Sequence, residues 1–170
     1  MSAHVHLRVS LTNDQKFGGA FRQYLIRKKN GGLLKILSFW QDVNDYGSGD
    51  TKTTDRHIRQ GQAWDIYHKY IGNHDKPNIE ICNKVRDTIY NTLLNTKDFV
   101  SASIFNPVKE EVVFRLEAAW KRSLQEDLKN YLDCKTRAQG GTPPSSADAI
   151  DVSLQDGKLV IRRPNPWLKR

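Results

Sequence analysis

The chain contains five histidines and two cysteines, the residue types best suited to bind a metal or to attack a substrate. No His-Glu-x-x-His sequence occurs, and neither Cys82 nor Cys134 belongs to a Cys-x-x-Cys pair. The sequence therefore lacks the spacings that are typical of zinc sites. His4-x-His6 could chelate a metal adventitiously, but a solvated pair near the start of the chain is the simpler interpretation. We expect neither a metal nor another cofactor.

The sequence also lacks the common motifs of catalysis. It contains no Gly-x-x-x-x-Gly-Lys-Ser/Thr phosphate loop and no Gly-x-Ser-x-Gly nucleophile turn. The segment from Asp42 begins like a calcium loop, but Thr53 stands where such a loop needs a bidentate glutamate, so we interpret it as a helix end and turn. Cys82 lies among apolar residues at helical spacing, which predicts an inert core thiol. We do not expect an enzyme with its own active site.

The net charge of +8 is compatible with nucleic acid, an anionic membrane or an acidic protein as partner. The excess lies at the two ends, since residues 1–60 carry +5, residues 61–120 carry −1 and residues 121–170 carry +4. Nucleic acid ranks last, because no recognised motif accompanies the charge. A basic face toward an anionic membrane is an alternative to a plain solvated surface. The candidates for that face are Arg27, Lys28, Lys29, Lys35, Lys121 and Arg122.

The apolar runs are only a few residues long, which predicts neither a transmembrane helix nor a signal peptide. Two cysteines cannot build a disulfide scaffold. Both observations favour a reducing, intracellular setting. We expect a cytoplasmic monomer, with a peripheral membrane location as an alternative.

The hydrophobic pattern predicts helices through most of the chain. We expect a capped helix start in residues 11–16 and an interruption at Gly31-Gly32, and Thr54 or Asp55 can cap a later helix. Three apolar stripes follow at helical spacing. They are Leu33, Ile36, Leu37, Trp40, Val43 and Tyr46; Ala63, Ile66, Tyr67, Tyr70 and Ile71; and Ile81, Cys82, Val85, Ile89 and Leu93.

The longest pattern begins at Asn106-Pro107, which predicts an N-cap followed by the first helical residue. From there apolar residues recur every four positions: Val108, Val112, Leu116, Trp120, Leu124, Leu128 and Leu132. Four residues rotate by about 400°, so this stripe must contact different neighbours along its length. Residues 136–149 have the composition of a linker, and apolar runs on either side of Asp156-Gly157 predict a weak hairpin.

Four segments of the chain carry recognisable motifs. Gly18 to Leu25 contains a Gly followed by Phe21, Tyr24 and Leu25, and Phe39-Trp40 lies on the next predicted helix. Residues 63–71 match Ala-x-x-Ile-Tyr-x-x-Tyr/Phe-Ile, and Asn78-Ile79 follows. In this order, these segments resemble the motifs of the regulator of G-protein signalling (RGS) domain. The resemblance covers about residues 11–135, with residues 1–10 as a lead and 136–170 as linker and tail. It implies an all-α fold with a terminal subdomain and an antiparallel helix bundle.

The resemblance also implies a function. RGS domains bind Gα subunits and accelerate GTP hydrolysis by stabilising the switch segments, and they insert no catalytic residue. Carried over position by position, the contact candidates are Asn78, Lys35, Ile36, Arg115, Ala119 and Ser123. Asn78 matches the family asparagine that contacts the switch region, although a plain N-cap after Pro77 is an equal alternative.

The other five positions depart from the family pattern. Lys35-Ile36 stands where the family has Glu-Asn, and Arg115 stands where it has Leu. Ala119 and Ser123 stand where it has Asp and Arg one turn apart. Because a charge-assisted hydrogen bond contributes about 1.5–3 kcal/mol, we predict that GTPase acceleration is weak, selective or absent. The alternative is an RGS-type docking module that binds another protein or an anionic membrane.

Overall fold

The computed structural model describes residues 3–14, 18–49, 55–72, 79–97, 99–138, 140, 151–155 and 158–162. The helices are α1 (Ala3–Asn13), α2 (Ala20–Arg27), α3 (Gly31–Ser48), α4 (Arg56–Tyr70), α5 (Asn83–Asn95) and α6 (Asn106–Ala138). A 3-10 helix (Ala102–Phe105) leads directly into α6, and two strands, β1 (Asp151–Gln155) and β2 (Lys158–Arg162), follow. The predicted all-α class with a C-terminal hairpin is confirmed.

The chain divides into two compact units. Residues 8–116 form the first unit, and residues 1–7 together with 117–170 form the second. The first three turns or so of α6 therefore belong to the first unit and its remainder to the second. None of the described helices is long and apolar enough to cross a bilayer.

Helix α3 is central to the first unit, where it contacts α2, α4 and the 3-10 helix. The apolar stripe predicted for it is almost wholly buried: Ile36, Leu37, Trp40, Val43 and Tyr46, joined by Phe39. The Phe39 ring makes edge contacts with Tyr70, at a centroid distance of 5.5 Å, and with Phe105, at 6.3 Å. The helical periodicity of the sequence thus identifies the buried face correctly.

The C-terminal half of α3 packs around a buried arginine. Arg59 is 1% exposed, and its guanidinium carbon lies 3.4 Å from the centroid of the Tyr46 ring. Its Nη1 donates to the Tyr46 carbonyl at 2.7 Å, and its Nη2 donates to the Val100 carbonyl at 3.4 Å. The Tyr46 hydroxyl also donates to the Val100 carbonyl. Arg59 therefore connects α3, α4 and the segment before the 3-10 helix.

The predicted helix start in residues 11–16 is wrong. Helix α1 already ends at Asn13, and α2 begins at Ala20. The start of α2 is capped from a distance, because the Asp14 carboxylate accepts hydrogen bonds from the backbone N–H groups of Phe21 and Arg22, each at 3.3 Å. A Cβ at Gly19 would overlap that carboxylate, so a larger residue at this position would displace the Asp14 side chain from its capping position.

The expected interruption at Gly31-Gly32 is also misplaced, because both glycines lie in the first turn of α3. The break consists of the residues just before them. Lys29 adopts a left-handed φ of 53°, and the Asn30 side chain then caps α3 by accepting from the Leu33 N–H at 3.0 Å. This capped corner sets the direction in which α3 begins.

Three other helix starts can be compared with their predictions. The expected cap at Asp55 is confirmed, since its carboxylate accepts from the N–H groups of His57 and Ile58. Cys82 immediately precedes α5 and is exposed, so the prediction of a helical core thiol is wrong. Asn106 has helical angles, φ −56° and ψ −41°, and is not the N-cap of α6 because the 3-10 helix runs directly into it.

The rest of α6 and the tail agree with the sequence pattern. Val108, Val112, Leu116 and Trp120 are buried, whereas the three leucines farther along the stripe are half-buried. The helix continues through Ala138. Strands β1 and β2 pair antiparallel, with Val152 opposite Ile161 and Leu154 opposite Leu159, as expected for a hairpin. The expected turn at Asp156-Gly157 and most of the linker lie outside the described residues.

Candidate functional site

A groove on the first unit brings together segments that are far apart in the sequence. We name it the α3–α6 groove, and its volume is about 600 Å³. It is lined by Asn30, Gly31, Gly32, Leu33, Lys35, Ile36, Ile79, Glu80 and Arg115. Three of the predicted contact positions, Lys35, Ile36 and Arg115, thus share one surface.

The first two turns of α3 form one wall of the groove. The Asn30 cap fixes the start of the helix, and Lys35 and Ile36 follow on consecutive positions. Ile36 is 6% exposed and belongs to the apolar base of the groove, whereas Lys35 is half-buried at its edge. The neighbouring Leu33 is half-buried and adds apolar surface.

The segment after α4 forms a second wall. Helix α4 ends where the Gly72 N–H donates to the Tyr67 carbonyl at 2.9 Å, and a Cβ at Gly72 would lie 2.1 Å from the Tyr67 ring. The chain returns at Ile79, whose N–H donates to the Tyr70 carbonyl at 3.0 Å. Ile79 is buried, and Glu80 is exposed. Asn78, the predicted switch contact, lies outside the described residues and directly precedes Ile79 in the sequence.

Arg115 of α6 forms the third wall, and its side chain is one-third exposed. Its Nη2 donates to the Glu111 carboxylate at 3.0 Å, one turn earlier on the same helix. Ion pairs of this kind contribute only about 0.3–0.5 kcal/mol. The guanidinium can therefore exchange Glu111 for a carboxylate of a partner at little cost.

The remaining two contact candidates belong to the second unit and are buried. Ala119 is 7% exposed and Ser123 is 4% exposed. The Ser123 hydroxyl donates to the Trp120 carbonyl at 2.7 Å, so its hydrogen-bonding capacity is used within the helix. The exposed residues of the same spacing on α6 lie one position earlier, at Ala118 and Arg122.

The candidates for a basic face are distributed over both units. Arg27, Lys28 and Lys29 are exposed at the end of α2, and the Lys28 ammonium lies 5.5 Å from the centroid of the Tyr24 ring. In the second unit, the Lys121 ammonium pairs with Glu117 at 2.6 Å, which offsets part of its charge. A single face that unites all these residues stays a prediction.

The Asp42 carboxylate of the first unit has a structural role. Asp42, the start of the calcium-like segment, accepts at one oxygen from the Lys69 ammonium at 2.8 Å and from the Tyr70 hydroxyl at 2.6 Å. The hydrogen bond to Asp42 raises the pKa of Lys69 to about 12, and burial together with the same carboxylate raises the pKa of Tyr70 to about 12. Among the side chains that the structure describes, no three His, Cys, Asp or Glu residues could hold a metal ion together. His4 and His6 lie outside that set.

Sequence reasoning missed several residues of the groove. Asn30 and Leu33 were not predicted as site residues, although an asparagine before two glycines is a plausible helix cap. Glu80 follows the Asn78-Ile79 motif directly and could have been included with it.

The described residues form an α-helical domain with the α3–α6 groove on its first unit. A family profile described as "Regulator of G protein signaling domain" matches residues 9–133. Because the match covers most of the chain, the chain belongs to the RGS family. Comparisons with curated proteins and with solved structures gave no match. Membership in this family implies a general role in the regulation of G-protein signalling through protein partners.

Proposed function

We propose that this domain binds Gα subunits through the α3–α6 groove and that its acceleration of GTP hydrolysis is weak or restricted to particular Gα classes. The observation that carries the proposal is the joint position of Lys35, Ile36 and Arg115 in one groove beside Ile79. Lys35-Ile36 and Arg115 come from two separate segments that the RGS resemblance had assigned to the partner surface, and Ile79 directly follows the assigned Asn78 in the sequence.

The mechanism requires no catalytic group from this chain. A Gα subunit carries its own GTP and its own catalytic residues, so a bound domain acts by holding the switch segments in their reactive arrangement. The apolar base formed by Leu33, Ile36 and Ile79 can anchor a switch side chain, while Lys35 and Arg115 orient its polar neighbours. The domain then contributes pre-organisation rather than chemistry.

The departures from the charged contacts of the family support low or selective GTPase acceleration. Lys35-Ile36 presents a cation and an aliphatic chain where the family pattern has Glu-Asn. The buried side chains of Ala119 and Ser123 are poorly suited to contact a partner. We propose that the exposed pair Ala118 and Arg122 occupies the corresponding surface instead. Arg122 then supplies the expected arginine, and the acidic contact is still missing, at a cost of about 1.5–3 kcal/mol.

A single-turnover GTP hydrolysis assay across the Gα classes tests this function, together with binding to each Gα in its transition-state-mimicking form. We expect slow or class-restricted acceleration that is reduced in Arg115→Ala and in Asn78→Ala. Lys84→Ala, an exposed change on α5, serves as the matched control. Strong acceleration across all classes that is insensitive to Arg115→Ala and Asn78→Ala would refute the proposal.

The same binding measurement shows which pair of α6 residues contacts the partner, Ala118 and Arg122 or Ala119 and Ser123. If Ala118 and Arg122 face the partner, Arg122→Ala weakens Gα binding and Ser123→Ala changes binding little. The reverse result supports the original assignment of Ala119 and Ser123. Thermal unfolding of each variant separates loss of binding from loss of fold, because Ser123 is buried.

The second candidate function is an RGS-type docking module for a protein other than Gα. The cationic character of the groove, where Lys35 and Arg115 are both basic, favours it. Capture of a purified non-G-protein partner, combined with no binding to any Gα in the transition-state form, would support this alternative. Loss of that capture in Lys35→Glu would place the partner in the same groove.

A further inference from the structure

We infer that the α3–α6 groove binds an acidic segment of its protein partner, in which carboxylates alternate with aliphatic side chains. This inference deepens the proposed function and rests on it, because it names the chemistry of the segment that the same groove receives. It follows from the charge of the groove, the charge of its rim and the apolar base between them.

Two cations line the groove itself. Lys35 on α3 and Arg115 on α6 lie on different walls, and Glu80 is the acidic residue among the lining side chains. Glu111 pairs with Arg115, but both side chains are about one-third exposed, so this pair is weak and exchangeable. An incoming carboxylate can therefore form a charge-assisted, bidentate contact with Arg115.

The rim next to the groove adds three cations of the same sign. Arg27, Lys28 and Lys29 are exposed and directly precede Asn30, the first lining residue. Because they adjoin Asn30 in the chain, these cations raise the positive potential at that end of the groove. Among the described residues of the groove and its rim, five are basic, and the carboxylates are Glu80 and the Arg115 partner Glu111. A groove with this excess attracts anionic segments and disfavours cationic ones.

The apolar base favours a peptide over a membrane surface. Leu33, Ile36 and Ile79 lie inside a recess of about 600 Å³, which is within the range of clefts that enclose a ligand. A bilayer surface meets protruding residues and cannot enter such a recess. An extended peptide presents alternate side chains to opposite faces, so it can place aliphatic groups on the base and carboxylates near the cations.

Fluorescence anisotropy with three labelled peptides tests the inference. The peptides alternate leucine with glutamate, leucine with glutamine or leucine with lysine, and each is titrated with the intact protein at low and high salt. We expect the glutamate peptide to bind about tenfold or more tightly than the glutamine peptide, with a preference that decreases at high salt. Equal binding of the glutamate and glutamine peptides would overturn the inference.

Charge reversal in the groove provides a more specific test of the inference. In the double variant Lys35→Glu/Arg115→Glu, the preference should invert, so that the lysine peptide binds more tightly than the glutamate peptide. The matched control is Lys84→Glu/Lys97→Glu, two exposed positions of the first unit that do not line the groove, and it should retain the original preference. An equal loss in both double variants would overturn the inference, because it would indicate net charge alone.

A second variant covers the case in which the groove variant does not fold. Lys28→Glu/Lys29→Glu changes only exposed rim residues and should weaken glutamate-peptide binding about threefold or more. In parallel, amide chemical-shift changes on addition of the peptide should cluster at groove residues such as Lys35 and Ile79. Changes confined to other surfaces, or binding only to phosphatidylserine vesicles, would overturn the inference.

The Gα panel separates this inference from the proposed function. Selective binding of the glutamate peptide without binding to any Gα retains the inference and refutes the proposed function. Gα binding that weakens in Arg115→Ala, with no preference among the peptides, refutes the inference and retains the proposed function.

Discussion

Two arginines of the first unit illustrate how the two ends of α3 differ. Arg59, near the C-terminal end, is 1% exposed, stacks on the Tyr46 ring and donates to two backbone carbonyls. Arg115, near the N-terminal end, is one-third exposed and pairs with a single carboxylate on its own helix. An arginine side chain therefore connects three segments at one end of α3, and another arginine lines a groove at the other end.

The difference shows that an arginine of this domain is structural when it is buried and bonded to fixed backbone carbonyls, and is available for binding when it is exposed and paired with a mobile side chain. The carbonyl partners of Arg59 belong to backbone that the surrounding aromatic rings hold in place, so the arginine has a structural role. The partner of Arg115 is a side chain about one-third exposed that can rotate away at a cost of about 0.5 kcal/mol or less. Substitution of Arg59 should therefore mainly lower stability, whereas substitution of Arg115 should mainly weaken binding.

The largest effect is expected for Arg59→Met. The change leaves the Tyr46 and Val100 carbonyls buried with fewer donors and removes the guanidinium from the Tyr46 ring, so the free energy of unfolding should fall by about 3–5 kcal/mol. Urea denaturation measures it, and Arg56→Met, exposed on the same helix, is the control. A loss below about 1 kcal/mol would show that the cluster does not depend on this cation.

A smaller effect is expected for Tyr46→Phe at the same end of α3. The ring that stacks on Arg59 is kept, but the hydroxyl that donates to the Val100 carbonyl is lost. We expect a decrease of about 1–2 kcal/mol in the free energy of unfolding. If Tyr46→Phe costs as much as Arg59→Met, the hydroxyl and not the guanidinium is the main connection.

The alkaline pH dependence of stability tests the contact of Asp42 on α3 with Lys69 and Tyr70 on α4. The folded-state pKa values of Lys69 and Tyr70 are both raised to about 12, above their ordinary values of 10.5 and 10.0. Because the folded state holds these protons more tightly, their contribution is complete below about pH 10 and is lost as the pH rises through 12. Stability should therefore fall between pH 10 and 12, and Asp42→Asn should flatten that decline in a pH series of thermal unfolding. An unchanged slope in Asp42→Asn would contradict the assigned contact.

The smallest effect on stability, and the most informative for the comparison, is expected for Arg115→Ala. Removing this partly exposed i, i+4 pair should change the free energy of unfolding by about 0.5 kcal/mol or less. Binding to the Gα or other partner should nevertheless weaken about three- to tenfold, and Arg115→Lys should restore part of it. A large loss of stability with unchanged affinity would make Arg115 structural, like Arg59.

Local sequence determined much of this protein. The 3–4 spacing of apolar residues identified the buried faces of α3, α4 and α6, because a regular helix converts sequence spacing directly into an angle around its axis. Asp55 was a readable cap, since a cap acts within three residues. The order of the apolar and aromatic motifs was also sufficient to predict the RGS family, and the paired apolar runs predicted the hairpin.

The tertiary structure decided what local patterns do not encode. Asp14 caps α2 from seven and eight residues away, and Arg59 is buried although charged residues usually lie at the surface. Ala119 and Ser123 are buried, whereas the adjacent Ala118 and Arg122 are exposed, a one-position difference that sequence comparison did not resolve. The α3–α6 groove is the clearest case. It joins residues 30–36, 79–80 and 115, and only the packing of separate helices sets the distances between segments so far apart in the chain.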